Sequence, residues 1–168
     1  IGELALTGKV RKIKGVLPIA LTARSEGRRG LLVPVENAAE AAVVEGLEVI
    51  PLQSLREAVD FLSGCSPITP TQVNTRKLFE KSARTNEDLC EVKGQETVKR
   101  ALEISAAGGH NLILIGPPGS GKSMLAKRLR SILPPLTLNE SLETTRIHSV
   151  AGLLEPNQAL VTQRPFRS

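Results

Sequence analysis

Apolar positions along residues 1–63 fall into short runs whose period switches between two and 3.6 residues. Leu4, Leu6, Val10 and Ile13 mark extended sequence interrupted at Gly8. Residues 16–26 follow a helical pattern closed by Gly27, where glycine can take a positive φ. Leu31-Leu32-Val33-Pro34 predicts a short buried strand, and Asn37 an N-cap for a helix over Ala38–Glu45 that Gly46 ends. Val49-Ile50-Pro51-Leu52 predicts another strand. Ser54 caps a last helix reaching Leu62. This β-α-β-α-β-α order implies right-handed crossovers between neighbouring strands with helices packed on them. Residues 63–75 lack periodicity and hold Pro67 and Pro70 among small polar residues, as a linker does; residues 76–86 are charged and compatible with a short helix. From Asp88 a second pattern begins. Thr97–Ala107 is helical and stops at Gly108-Gly109. Asn111–Ile115 is a continuous apolar run, predicting a strand covered on both faces. Lys122–Leu133 is helical up to Pro134-Pro135, Asn139 caps a further short helix, and the chain is irregular beyond Gly152. The pattern divides the chain into a unit over 1–63, a linker over 64–87 and a unit over 88–168.

Composition narrows the reading. The 168 residues are 40% hydrophobic and 23% charged, within the globular range, which excludes collagen-like, wholly disordered and disulfide-scaffold classes. Three Phe and no Trp or Tyr force an aliphatic core and argue against a platform that stacks bases on exposed rings. Cys65 and Cys90 lack metal-ligand spacing and read as free thiols of a reducing compartment, which points to the cytoplasm. The uncharged stretch Ile104–Gly121 approaches a membrane span in length, but its glycines and prolines rule out a continuous apolar helix, so no membrane partner is expected. No charged and apolar leader opens the chain, which begins at Ile1 inside strand-like sequence and reads as part of something longer. The net charge of +5 is carried entirely by residues 64–168, a basic excess compatible with a phosphate-bearing partner.

The chemistry concentrates at Gly116-Pro117-Pro118-Gly119-Ser120-Gly121-Lys122-Ser123, which fits G-x-x-x-x-G-K-[ST], the P-loop. Its glycines let the backbone fold into a nest of inward-facing N–H groups. The helix that follows turns its positive end toward the same place. Lys122 is positioned by the motif to reach the β- and γ-phosphates of ATP, and the Ser123 hydroxyl to serve Mg²⁺. The strand-loop-helix context that the motif requires is present in the pattern.

The surroundings of the loop bring a resemblance into view. Val92-Lys93-Gly94-Gln95-Glu96, a helix, then Gly108-Gly109-His110-Asn111 and the apolar run resemble the front of an AAA+ module. The run Ala101–Asn111, the terminal Arg164-Pro165-Phe166-Arg167-Ser168, and Gly2–Gly8 with Pro34-Val35-Glu36-Asn37 resemble magnesium-chelatase-like AAA+ ATPases of the YifB/ComM type, over nearly the whole chain. That resemblance implies an α/β fold with a partial P-loop NTPase domain. It also implies nucleotide contacts from Val92, Gln95 and Met124 beside the loop. The parent would be a ring-forming, hexameric ATPase that remodels branched DNA in recombination and transformation. A chelatase- or chaperone-like motor acting on a protein or metal-insertion substrate, and a non-catalytic nucleotide-sensing module, are the rival expectations.

The first unit is similar to the second half of the Lon-protease fold (ribosomal S5 domain 2-like). Where the protease's dyad lysine would fall stand Val16, Leu17, Pro18 and Ile19; none can deprotonate a serine, so peptidase activity is not expected. An acid pair following an apolar strand, needed to hold Mg²⁺ and polarise water, does not occur after Ser123, where the acids are Glu140, Glu143 and Glu155. The chain by itself is therefore expected to bind ATP without hydrolysing it. His110 reads as a turn residue, His148 as a helix end, Lys127, Arg128 and Arg130 as the exposed face of the helix after the P-loop, and Arg28-Arg29 as a solvent-facing pair. Arg164 and Arg167 read as a solvated surface pair that could touch phosphates.

Overall fold

A computed structural model describes residues 1–82 and 88–166. They group into two compact units, Ile1–Leu78 with Thr137–Val161, and Phe79–Leu136 with Thr162–Ser168. The spatial grouping cuts the chain differently from the chain-order partition, because residues 137–161 return to the first unit. Positions 83–87 of the expected linker, and Arg167 and Ser168, lie outside the described residues.

In the first unit, β1 (Glu3–Leu4) and β2 (Val10–Arg11) pair antiparallel as a small hairpin rather than forming the first strand of a parallel sheet. Each of these strands is two residues long because Ala5–Gly8 is a tight turn, with the Gly8 N–H donating to the Ala5 carbonyl at 2.8 Å and Gly8 at φ 78°. α1 (Val16–Ser25) follows, and Gly27 takes φ 71° after it as expected. β3 (Gly30–Pro34) and β4 (Glu48–Leu52) are parallel neighbours in the register Leu32 opposite Ile50, joined through α2 (Val35–Ala41), so the predicted crossover is present. α3 (Leu55–Leu62) starts at Ser54, whose hydroxyl accepts from the Glu57 N–H as a capping serine should. α4 spans Thr75–Ser82.

The core of this unit gathers Val16, Leu17 and Ala20 of α1, Val33 and Val49 of the strands, and Ala38 and Ala41 of α2. Apart from Leu17 these are small or β-branched side chains, and the alanines of α2 let it lie close over the two strands. Asn37 does not cap a helix. α2 begins two residues earlier, after Pro34, and Asn37 is a buried residue of its first turn. Its amide instead clamps the chain ahead of α1, accepting from Ile13 N–H and donating to the Ile13 carbonyl, both at 3.0 Å. A buried amide finds two good partners there, and that outweighs the local cap.

α7 (Leu138–Ala151) also differs from expectation. It runs 14 residues rather than being short, and its cap is Thr137, not Asn139. Thr137 and Glu140 form a reciprocal capping box, with Thr137 N–H donating to the Glu140 carboxylate at 2.8 Å and Glu140 N–H to the Thr137 hydroxyl at 3.3 Å. Its buried face is polar: Ser141, Thr145 and Ser149 recur every four residues. The Ser141 hydroxyl donates to the Val161 carbonyl at 2.6 Å, while Val161 N–H donates to the Thr145 hydroxyl at 2.8 Å. Both backbone groups of an otherwise irregular residue are thereby satisfied.

In the second unit, a 3-10 turn over Leu89–Glu91 is capped by Asp88. α5 (Glu96–Gly108) and α6 (Lys122–Ile132) face each other with matched stripes, Val98 and Leu102 against Leu125, Leu129 and Ile132, closed by Leu89 and Val92. Arg128 is not on an exposed face. Its guanidinium donates to the Glu91 carboxylate at 3.0 Å and to the Asp88 carbonyl at 3.2 Å, tying α6 to the capped turn. Arg28 and Arg29 are solvent-facing, as read from the sequence. His110 is a turn residue, its N–H donating to the Ser105 carbonyl at 2.9 Å.

The largest departure is at Asn111–Ile115. No strand forms there, and Ile113 and Ile115 are 81% and 92% exposed. A lone apolar run cannot satisfy its own N–H and C=O groups as a strand, and the described residues place no second strand beside it. Leu114 alone of the run packs on the small core of this unit. Among the described residues, no helix is long and apolar enough to cross a membrane.

Candidate nucleotide-binding site

The expected site residues come together around one turn, Gly116–Gly121, that leads into α6. Two features of the sequence fold it. Gly119 and Gly121 take φ 81° and 84°, a left-handed conformation costly for residues with a Cβ. At Gly119 a Cβ would have open space, so the requirement there is conformational; at Gly121 it would also lie 3.4 Å from Met124 Cε. Between them, Ser120 N–H donates to the Pro117 carbonyl at 3.4 Å, curling the loop. Gly121 then caps α6, and its carbonyl takes the first helical bond, from Leu125 N–H at 2.9 Å. The N–H groups of Lys122, Ser123 and Met124 precede that bond and point out of the helix end with its positive dipole behind them.

The Lys122 side chain folds over the loop. Its ammonium donates to the carbonyls of Gly116 at 2.8 Å and Pro117 at 2.7 Å and to the Ser120 hydroxyl at 3.3 Å. A lysine held at the mouth of its own loop by neutral oxygens is poised for a stronger acceptor, since a bond to an anion is about twice as strong as one to a carbonyl. The Ser123 hydroxyl is exposed at the first turn of α6, and Met124 is 37% exposed beside it.

Two further residues named from the sequence take different places. Gln95 is a non-glycine residue at φ 56°, directly after Gly94 at φ 67°, and its side-chain amide donates to the Ser120 carbonyl at 3.4 Å. It therefore touches the loop itself. Val92 is 4% exposed and packs among Leu89, Leu102 and Leu125, so its side chain supports the site from beneath rather than lining it. His148 lies in the last turn of α7 and belongs to the other unit. The Arg164 guanidinium donates to the Pro134 carbonyl at 3.0 Å, and Arg130 lies 5.8 Å over the Phe166 ring.

Whether these residues suit a triphosphate and Mg²⁺ is decided by the donor set. One half-buried ammonium, a run of unpaired helix-end N–H groups and two left-handed glycines in an open turn are what an extended anion needs. A lone hydroxyl and no carboxylate at the turn leave most of a Mg²⁺ shell to water and phosphate, its usual preference. The donors fit.

Electrostatic tuning appears at the capped turn. Backbone and thiol hydrogen bonding from Cys90 holds the Asp88 carboxyl below the usual carboxylate range, and Asp88 in turn pushes the Cys90 thiol up. The feature that sequence reasoning missed lies in the first unit. Glu40, 6% exposed, accepts from Leu17 N–H at 2.9 Å, from Asn37 at 3.3 Å and from the Ser149 hydroxyl. A Glu three residues after an Asn in an alanine-rich helix was the available signal.

Comparison with known proteins identifies the family. Residues 88–168 match the family described as magnesium chelatase, subunit ChlI, and residues 1–37 match a second family described as subunit ChlI of Mg-chelatase. The competence protein ComM of Haemophilus influenzae is 40% identical over 169 residues, covering 100% of this chain and 33% of the relative. YifB of Escherichia coli is 42% identical over 171 residues, again 100% of this chain and 32% of the relative. An archaeal Lon protease of Methanothermobacter thermautotrophicus is 35% identical over 75 residues, 45% of this chain and 11% of that protein. The chain thus spans about a third of the length of its full-coverage curated relatives. It belongs to the magnesium-chelatase-like family, in the group that includes ComM and YifB.

Proposed function

We propose that this chain supplies the ATP-binding P-loop of an AAA+ motor, placed after a Lon-like α/β unit. The observation that carries the reading is the Lys122 ammonium on the Gly116 and Pro117 carbonyls, at the mouth of a loop whose glycines adopt φ 81° and 84°. On arrival of a triphosphate, Lys122 exchanges three neutral acceptors for an anionic one. The N–H groups of the turn and of the first turn of α6 receive phosphate oxygens without reorganising, because Gly119 and Gly121 already hold the curl. Ser123 offers its hydroxyl toward Mg²⁺ from the same helix end. Bound Mg²⁺ with the triphosphate supplies the scissile phosphoanhydride and the charge that neutralises its oxygens. Hydrolysis further requires an acid pair after an apolar strand, which the sequence from Met124 to Ser168 does not contain, so the reading is of a chain that binds without turning over.

The substitution Lys122→Ala tests the reading. It should lower affinity for a Mg²⁺-bound non-hydrolysable ATP analogue by about a hundredfold or more, since two charge-assisted bonds are lost. Calorimetry that finds unchanged affinity removes the phosphate role.

For the intact protein we propose a ring-forming, cytoplasmic ATPase that remodels branched DNA. The support is similarity to ComM, whose name places it in competence, and the basic excess of residues 64–168. The magnesium chelatase description of the matching family favours a second reading, a motor driving metal insertion or acting on a protein. ATPase activity of the intact protein stimulated by branched DNA supports the first; stimulation by a porphyrin or protein partner alone supports the second. ATP binding without turnover at full length would instead indicate a nucleotide-sensing module.

A further inference from the structure

We propose that Gln95 is a positioning residue for the phosphate loop, an outside brace that takes over when Lys122 turns to the nucleotide; this rests on the nucleotide-binding reading above. Two observations lead to it. Gln95 occupies the left-handed region at φ 56°, a conformation costly for a residue with a Cβ. A turn that needed only that backbone shape would be served at lower cost by glycine. What glutamine adds is an amide, and its Nε2 donates to the Ser120 carbonyl at 3.4 Å and sits 3.7 Å from where a Gly121 Cβ would project. The side chain therefore lies against the loop at its second left-handed glycine.

Ser120 is the point where the supports of the loop meet. Among the described residues, its side-chain partners are Lys122, which donates to its hydroxyl at 3.3 Å, and Gln95, which donates to its carbonyl. Lys122 holds Ser120 only while it lacks a better acceptor. Once its ammonium leaves Gly116, Pro117 and Ser120 for a phosphate, Gln95 is the side chain still holding the Ser120 carbonyl outward. An outward carbonyl keeps the adjoining N–H groups turned inward, where the anion is. Gln95 itself is anchored by backbone, since its carbonyl takes the first helical bonds of α5 from Val98 N–H and Lys99 N–H, both at 3.0 Å. The brace thus ties the loop to a helix end rather than to a floppy segment. Its contribution should be larger with nucleotide bound than without.

Gln95→Gly separates the two roles, because it relieves the backbone cost and deletes the amide; Gln95→Glu keeps the shape but sets an acceptor against the Ser120 carbonyl. In the intact protein, both should bind a fluorescent, non-hydrolysable ATP analogue with Mg²⁺ about three- to tenfold more weakly, the worth of one net hydrogen bond. The loss should appear as faster dissociation in stopped flow. The Gln95→Gly protein should melt no lower than the parent, and exchange at residues 116–121 should rise only in the nucleotide-bound state. Parental affinity and dissociation rate in Gln95→Gly, alongside lost binding in Lys122→Ala, would overturn the brace and leave the phosphate site standing. Parental binding in Lys122→Ala would overturn both. A Gln95→Gly protein whose loop exchange exceeds the parent's by the same factor with and without nucleotide would reduce Gln95 to a turn former and also defeat the proposal.

Discussion

Glu40→Ala should be among the most damaging single changes in the first unit, though it touches no nucleotide. The carboxylate is 6% exposed and collects three elements: the start of α1 through Leu17 N–H at 2.9 Å, its own helix through Asn37 at 3.3 Å, and α7 through the Ser149 hydroxyl. Hydrogen bonds to an ionised group contribute about 1.5–3 kcal/mol each, and a buried donor left without an acceptor costs about 1–3 kcal/mol. These overlap rather than add, because Leu17 N–H and Ser149 lose one shared oxygen, so the expected loss is about 3–5 kcal/mol. That is a large share of the roughly 5–15 kcal/mol typical of a domain. Glu40→Gln keeps an oxygen for Leu17 and Ser149 but turns an NH₂ toward the Asn37 amide, whose own oxygen is engaged by Ile13 N–H. It should cost about 1–2 kcal/mol. The chain has no Trp or Tyr to report unfolding by fluorescence, so the assay is urea denaturation by far-UV circular dichroism, with hydrogen exchange followed over residues 13–22. A Glu40→Ala protein within about 0.5 kcal/mol of the parent, with residues 13–22 still protected, would refute the reasoning.

Thr145→Val, nearly isosteric, removes the acceptor for the buried Val161 N–H and should destabilise the first unit by about 1–3 kcal/mol, with faster exchange at Val161; an unchanged rate there would mean the hydroxyl is dispensable. Asp88 has its carboxyl depressed by hydrogen bonds from Cys90, so its support for the capped turn is present above the ordinary aspartate pKa of about 4 and is lost as pH falls through the lower folded value. Asp88→Ala should therefore flatten the acid limb of the stability-pH curve of the second unit, read by exchange at residues 88–92. In a Cys65→Ser background, alkylation of Cys90 should accelerate only above the ordinary thiol range, because Asp88 opposes the thiolate; Asp88→Asn should shift that midpoint down.

Much of the chemistry was legible in order alone. The loop Gly116–Ser123 is a contiguous motif whose glycines act through their own φ, and the structure forms its curl with Lys122 over it. Helices whose ends carry local signals were likewise readable: Ser54 caps α3, Gly27 follows α1, and the parallel β3–α2–β4 unit has the expected connection. In each case the determining interaction spans only a few residues, so neighbours in sequence suffice.

What only tertiary structure decided are the contacts between residues far apart in sequence. Asn37 looked like a cap until Ile13, 24 positions away, offered its N–H and carbonyl. The polar stripe of α7 acquires its meaning from Val161, 20 positions on, and from Glu40, 109 positions away. Asn111–Ile115 carries the pattern of a buried strand, yet a strand is a property of a ladder, and the described residues supply no neighbour to complete it. Local propensity is written in the chain; the partner that satisfies a buried N–H, hydroxyl or carboxylate is chosen by packing, and no period in the sequence announces it.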